Sequence, residues 1–361
     1  MMNGDRGIMA RPLMSPAHLM IITTAAFLLA VLATPAMRRA ALGLGMVDRP
    51  AARKFHVQPT PLLGGVAIYC AVIGSLLVFP NRRELVELTG IMIGASWISF
   101  WGLWDDRFGL SPIAKLAAQL VAAILLIVIG IQVSLPIPGW ANIALTLLWI
   151  VGITNAFNLL DNMDGLASGV AAVAAAWFML LAAINGQYLV GGLAAAVLGA
   201  CLGFLIHNFN PASIFMGDSG SLFLGFLMAV LGIKLRFPAN VNWVTWMVPI
   251  VVLGVPIFDT SLVVVSRLRR QKNPFSTPGT DHVSHRLNRA GWTRRESVMA
   301  LYLAGCILGG ISALVSLASP LGAYLILTAV VVVAVCAMLR LETLGVSDHE
   351  PGAAADRGRS K

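Results

Sequence analysis

Five of the chain's 16 acidic residues fall in three short polar stretches within otherwise apolar sequence. Asp105 and Asp106 lie in "WGLWDDRFGLSP", Asp161 and Asp164 in "NAFNLLDNMDGLASG", and Asp218 in "IFMGDSGS". Asn158, Asp161 and Asn162 are spaced i, i+3, i+4, so a helix would put them on one face. Carboxylate and amide oxygens together suit a hard cation such as Mg2+. "GDSGS" places Asp218 between two glycines at an expected helix start, where close backbone approach and unpaired N–H groups favour a phosphate. His282, His285 and Arg286 in "DHVSHRL" add donors suited to a polyphosphate. Lys115 follows Asp105 by ten residues, near enough to reach back to the same place. Together these residues point to Mg2+-assisted phosphoryl chemistry.

Each stretch also has a plainer reading. A "DD" pair can be a solvated helix end, "GDSG" a tight turn, and two histidines in a basic loop mere surface. His56 and His207 are lone histidines, and Asp259 in "PIFDT" suits hydrogen-bonded helix packing at least as well as catalysis.

The elements that must position these residues are set by composition. The 361 residues are 58 % hydrophobic and 11 % charged, whereas soluble globular chains carry about 25 % charged residues. Such a chain is a polytopic membrane protein. Eleven apolar segments follow, at roughly 17–35, 62–79, 88–104, 112–134, 141–157, 165–184, 188–206, 219–235, 244–265, 297–317 and 321–340. Each approaches the ~20 residues that cross a bilayer as a helix. The expected fold is an all-α bundle of about 11 transmembrane helices, one membrane-embedded domain over 15–344. Residues 1–14 and 345–361 read as disordered tails. Basic residues follow the first segment more than they precede it, which favours a start-transfer helix over a cleaved signal. The four cysteines, all in apolar runs, read as small buried hydrophobes.

Alternating crossings allow an orientation test. With the first loop in the cytoplasm, 18 of the 25 Lys and Arg lie on the cytoplasmic side. The positive-inside rule then puts the N-terminus outside and the C-terminus inside. It also accounts for the net charge of +9 without nucleic acid, for which no aromatic-interleaved basic stripe exists. An Asp at mid-bilayer costs about 2.5–3.5 kcal/mol, so the acids should lie at helix ends. In this orientation the three acidic stretches and the long basic loop after residue 265 share the cytoplasmic face. A secondary transporter would instead hold its acids near mid-membrane, on broken helices of paired repeats. No internal repeat is visible. A non-catalytic scaffold would not need this acid set.

The ordered set "VDRPAARKFHVQPTPLLGGVAI", "DD", "NAFNLLDNMDGLASG", "NFNPASIFMGDSGSLFLG" and "HVSHR" resembles the polyprenyl-phosphate N-acetylhexosamine-1-phosphate transferases. Their superfamily also holds the phospho-MurNAc-pentapeptide translocase. The resemblance implies a bundle of ten or eleven helices with a cytoplasmic site in the plasma (inner) membrane. It implies transfer of a sugar-1-phosphate from a UDP-N-acetylhexosamine to a polyprenyl phosphate, giving a polyprenyl diphosphate-sugar and UMP. GlcNAc is the default sugar, and Mg2+ is the expected cofactor, with Mn2+ as a substitute. A homodimer is compatible with it.

The resemblance also implies roles. Asp218 and Asn158 are matched to metal binding. Asp105, supported by Asp106, is matched to deprotonation of the lipid phosphate. Asp161, His282 and His285 complete the expected catalytic set, with the role of Asp161 least defined. Lys115 and Arg286 resemble diphosphate contacts, and Asp164 lies at a position near the uracil. Asn155, Lys54 and His56 join the substrate-binding set, Lys54 and His56 with Gly64 and Gly65 in a lipid-phosphate or loop role. Two departures stand out. Ser284 replaces the middle histidine of the family's "HxHH", and "LDNMDGLA" stands where the pentapeptide branch favours "TDGLDGLA". Both point toward transferases that open O-antigen, teichoic acid or arabinogalactan synthesis.

Overall fold

The computed structural model describes residues 16–48, 59–77, 84–273 and 279–346. Both expected tails lie almost wholly outside the described residues. So do Lys54 and His56.

The helices run α1 (Pro16–Leu44), α2 (Gly64–Leu76), α3 (Leu85–Phe108), α4 (Pro112–Val128), α5 (Gly139–Leu160), α6 (Leu166–Ile184) and α7 (Tyr188–Asn208). They continue with α8 (Gly217–Lys234), α9 (Asn242–Thr245), α10 (Met247–Val252), α11 (Gly254–Arg269), α12 (Val283–Arg289), α13 (Arg294–Leu317) and α14 (Pro320–Val346). Eight of them are long and apolar enough to cross a membrane, and α9–α11 form a further, broken unit bent by 74°. α2 and α4 are shorter, at 13 and 17 residues. Every apolar segment of the sequence thus falls on a helix or on the bent unit.

The chain is not purely helical. β1 (Val47–Asp48) and β2 (Thr60–Pro61) pair antiparallel, Val47 opposite Pro61, and Leu62 bridges Phe215 in parallel. The bend in α9–α11 also departs from the single span expected at 244–265. Pro256 has no N–H to give the preceding turn, and Gly254 resists helix weakly, so the helix restarts there.

α7 and α8 are the centre of the bundle, with 78 % and 83 % of their apolar windows buried, against 6 % for α14. Small residues let the neighbours approach. A Cβ at Gly199 would stand 2.1 Å from the Thr23 carbonyl oxygen, and one at Gly203 2.4 Å from that of Phe27. This four-residue spacing seats α1 against α7 as small-residue stripes do in membrane helix pairs. Gly65 and Gly220 do the same for α2 and α8, where a Cβ at Gly65 would meet the Gly220 nitrogen at 2.2 Å. Cys201 is buried as expected. Cys70, Cys306 and Cys336 face outward, because a helix surrounded by lipid has no need to bury every apolar side chain.

Local sequence sets the helix ends. Ser111 accepts a hydrogen bond from the Ala114 N–H, with Pro112 just inside α4, a favourable cap and first residue. Thr293 and Glu296 form a capping box at α13. Asp105 and Asp106 lie in the last turn of α3, Asp161 just after α5, and Asp218 in the first turn of α8.

Candidate active site

α3, α4, α5 and α8 converge at one end of the bundle. Lys115, in the first turn of α4, is the joint. Its ammonium donates to Asp218 Oδ2 at 2.6 Å and forms a close ion pair with Asp105. Asn158 Nδ2 donates to the other Asp218 oxygen at 2.9 Å and to Ser221 Oγ at 3.0 Å. Asp105, Lys115, Asn158 and Asp218, carried by four different helices, therefore meet. The Asp218 side chain stays 25 % exposed, so a ligand can reach it.

Asp106 does something different. Its two oxygens accept the backbone N–H groups of Asp218, at 2.8 Å, and Ser219, at 3.0 Å. A carboxylate from α3 thus caps α8 and lies at its positive end. The expectation of unpaired amides waiting there for a phosphate is corrected, since Asp106 already takes two of them. Gly217 makes the cap fit. Its φ of +71° favours glycine, and a Cβ would stand 2.6 Å from Asp106 Oδ2.

The expected shared helical face is also corrected. α5 stops at Leu160, and Asp161 is its C-cap residue with ψ of 52°. Asn158 is on the helix, and Asp161 and Asn162 are beyond it. Asp161 reaches the site through the loop. Burial pushes its carboxyl up to about 8, helped by the negative charges of Asp218, Asp106 and Asp164. Gly165, at φ +76°, then starts α6.

Asp164 is spent on the neighbouring loop. Its Oδ2 accepts from Asn210 Nδ2 at 2.9 Å and from the Ala212 N–H at 3.1 Å. Asn208 Oδ1 accepts from the Gly165 N–H, and Tyr302 donates to the Gly165 carbonyl. Asn208, Asn210 and Tyr302 hold this corner. The "NFNP" spacing signals the first two, whereas Tyr302, over a hundred residues away, gives no local signal. Asn155 pairs with Gln119 of α4 through reciprocal amide bonds. It therefore registers α4 against α5, one turn from Lys115 and Asn158. Gly64 and Gly65 donate to the Phe215 and Met216 carbonyls, a loop-building role beside α8.

His285 arrives on α12, and His282 is the residue that caps its start. Ser284 Oγ donates to Asn162 Oδ1 at 2.6 Å, which brings this helix to the acidic loop. Asp259 of α11 accepts from the Val283 N–H at 2.8 Å and contacts His282 Nδ1 at 2.8 Å. Its role is thus to hold the histidine helix. Burial holds His285 down to about 4, reinforced by His282 and Arg289, so it is neutral at pH 7. Burial pushes Asp281 up, but Arg270, Arg267 and Arg286 outweigh it and hold the carboxyl below its usual range. Arg286 is fully buried and donates to Asp281, Ser266, Leu341 and Glu342. This geometry gives it no open side for a diphosphate.

Among the described residues no three His, Cys, Asp or Glu side chains form a ready metal cage. Mg2+ does not require one, because it is commonly held by one or two carboxylates plus substrate phosphates and water. The donor set fits that pattern. Asp105, Asp106 and Asp218 share the corner with Lys115 and the Asn158 amide, with Asp161 and Asp164 beside them, so hard oxygen donors outnumber the one cation.

An apolar cavity of about 780 Å3 lies mostly toward the opposite end of the bundle, lined there by Val133, Leu135, Ile233, Arg236, Trp243 and Tyr324. It runs along α5 from Leu145 to Ala156, between α8 and the bent α9–α11 unit. Ala156 is two residues from Asn158.

Residues 88–236 match the family model described as glycosyl transferase family 4. The chain is 39 % identical over 309 residues to the probable undecaprenyl-phosphate N-acetylglucosaminyl 1-phosphate transferase of Bacillus subtilis, covering 82 % of this chain and 85 % of that one. It is 32 % identical over 371 residues to the decaprenyl-phosphate N-acetylglucosaminephosphotransferase of Mycobacterium tuberculosis, with 92 % of each chain covered. A phospho-N-acetylmuramoyl-pentapeptide-transferase of Bacillus cytotoxicus is 30 % identical over 321 residues, 80 % of this chain and 95 % of that one. With these motifs, this convergence of helices and relatives aligned over most of its length, the chain belongs to the polyprenyl-phosphate N-acetylhexosamine-1-phosphate transferase family.

Proposed function

We propose that the protein transfers GlcNAc-1-phosphate from UDP-GlcNAc to undecaprenyl or decaprenyl phosphate, releasing UMP and opening a cell-envelope glycopolymer. The observation that carries this reading is the Asp105–Lys115–Asp218–Asn158 convergence. It offers a base, a cation and a metal-binding edge within one cleft end.

Asp218 and the Asn158 amide are the residues that would hold Mg2+, or Mn2+ in its place. A cation bound there would offset the diphosphate charge. Lys115 orients Asp105 and Asp218 and presents positive charge to the phosphates. Asp105 accepts the proton of the lipid phosphate, whose second pKa near 6 makes that task modest. A phosphate oxygen of the lipid then attacks the β-phosphorus. The new O–P bond forms as the bond to the UMP oxygen breaks. His282 and His285 face the UDP-sugar, and Asp161 and Asp164 line the nucleotide side.

Asp106 is committed by both oxygens to α8, and Asp105 is engaged by Lys115 and the Leu110 N–H. Asp106 is therefore not a free nucleophile, and direct displacement is the route proposed, with Asp105 as base. Trapping a phosphosugar on either Asp would sink that route.

Leaving aside the seven-residue α12, the helices, with α9–α11 as one bent unit, are read as eleven crossings, with the N-terminus outside and the C-terminus and active site cytoplasmic, in the plasma (inner) membrane. The skew of Lys and Arg supports this. Ser284 and "LDNMDGLA" argue against a pentapeptide-bearing donor. The test is UMP release by purified protein with polyprenyl phosphate and a panel of UDP-sugars. No release with any UDP-N-acetylhexosamine would overturn the reading.

A further inference from the structure

α14 is the least buried of the long helices, yet its last turns carry a buried acid. Glu342 is 8 % exposed. Its Oε1 accepts from Arg286 Nη2 at 2.7 Å, and Arg269 approaches its other oxygen at 3.8 Å. The carbonyl of Leu341 accepts from Arg286 Nη1 at 2.7 Å. The remaining Arg286 donors reach Ser266 Oγ of α11 and the Asp281 carbonyl, each at 2.8 Å. One guanidinium, none of it exposed, therefore ties α14 and α11 to α12.

Arg286 directly follows His285 and lies one turn from His282. Its planar fork has fixed donor directions, so its acceptors dictate where it sits. Asp281 is already shared by Arg267, at 3.4 Å, and Arg270, at 2.8 Å. Among the described residues Glu342 is the acid in ion-pair contact with Arg286. A buried guanidinium that loses its acid is strongly unfavourable and must move or hydrate. Any such movement carries the histidine helix with it. The outer helix, nearly idle along its apolar length, thus acts on the site through its end.

We propose that Glu342 is a positioning residue of the transfer reaction, acting through Arg286 to hold α12, the helix that His282 caps and His285 lies on. The kinetic part rests on the reading that these histidines face the UDP-sugar. A displacement of about 1 Å at such a group can cost about 100-fold in rate.

The test uses the full chain in lipid nanodiscs with Glu342→Ala and Glu342→Gln. The alanine variant should raise KM for UDP-GlcNAc about tenfold or more and leave KM for polyprenyl phosphate within about twofold. Glutamine keeps one acceptor oxygen and should recover part of the loss. It also carries the test if the alanine variant does not fold. Hydrogen exchange of the 283–289 amides should quicken about tenfold in the alanine variant, with α5 and α8 unchanged. Unchanged exchange at 283–289 overturns the proposal. So does a kcat/KM for UDP-GlcNAc in the alanine variant that stays within about twofold of the wild type. If the wild type turns over no UDP-sugar while exchange at 283–289 responds as expected, Glu342 holds the helix and the proposed reaction is wrong.

Discussion

The acidic corner and the histidine helix are built from the same kinds of residue on opposite principles. In the corner, Asp105 and Asp218 share one lysine, and Asp161 crowds in beside them. Negative charge is left over, and Asp218 keeps an open edge. Around α12, Arg267, Arg270 and Arg286 are matched against Asp281 and Glu342 at 2.7–3.4 Å, within a buried network. There the arginines outnumber the acids, but each nitrogen of the buried Arg286 already donates to a protein acceptor, which leaves little for a ligand. A polar cluster becomes a binding site when it is under-compensated and accessible. When it is closed, it is scaffolding. That difference separates Asp218, expected at the metal and still open, from Arg286, expected at the diphosphate and closed.

The sharpest way to break the comparison is to remove the open edge. Asp218→Ala should lower UMP release by about 1,000-fold or more, a loss of roughly 4 kcal/mol in transition-state stabilisation. Size-exclusion behaviour should stay that of the wild type. Near-normal metal-dependent turnover would mean that the cation is held elsewhere. Next in size is Lys115→Ala, which leaves two carboxylates facing each other without their shared cation. A fall of about 100-fold in kcat/KM is expected. A smaller fall in the Asp105→Ala, Lys115→Ala double variant than the two single effects predict together would show that the pair works as a unit.

Much of this was legible in the sequence. The apolar segments map onto the helices because bilayer thickness dictates their length. The glycines beside Asp218 announced a helix start, and the ten-residue offset of Lys115 from Asp105 announced its reach. The parts that were missed depend on contacts between distant segments. Whether the α8 amides are unpaired depends on Asp106, more than a hundred residues earlier. Whether Arg286 is open depends on Glu342, 56 residues later. The helical face expected for Asn158 and Asp161 failed because spacing does not reveal where a helix stops. α5 stops one residue too soon for that face to form.

Asp106 offers a smaller and more discriminating effect. If it is chiefly a cap, Asp106→Ala should destabilise the fold by about 1–2 kcal/mol, the usual cost of losing an N-cap. Asp106→Asn should lose less, because the amide keeps one acceptor oxygen for the Asp218 or Ser219 N–H. Thermal midpoints of the three proteins, measured at one detergent concentration, give the ranking. An Asp106→Ala protein as stable as wild type would return Asp106 to the purely catalytic set.

Asp161 reports directly on under-compensation. Its carboxyl is pushed up to about 8 by burial and by the charges of Asp218, Asp106 and Asp164, against about 4 in an unfolded chain. The folded state therefore binds the proton more tightly than the unfolded state. Its contribution to stability is complete below about pH 4, declines as pH rises, and is gone above about pH 8. Without divalent cations the thermal midpoint should fall as pH is raised from 5 to 8, and Asp161→Asn should flatten that slope. A cation at Asp218 would offset the neighbouring charge that raises the Asp161 carboxyl, so added Mg2+ should flatten it too. A slope that survives Asp161→Asn unchanged would place the titrating group elsewhere, and the corner would then be better compensated than its five carboxylates and one lysine imply.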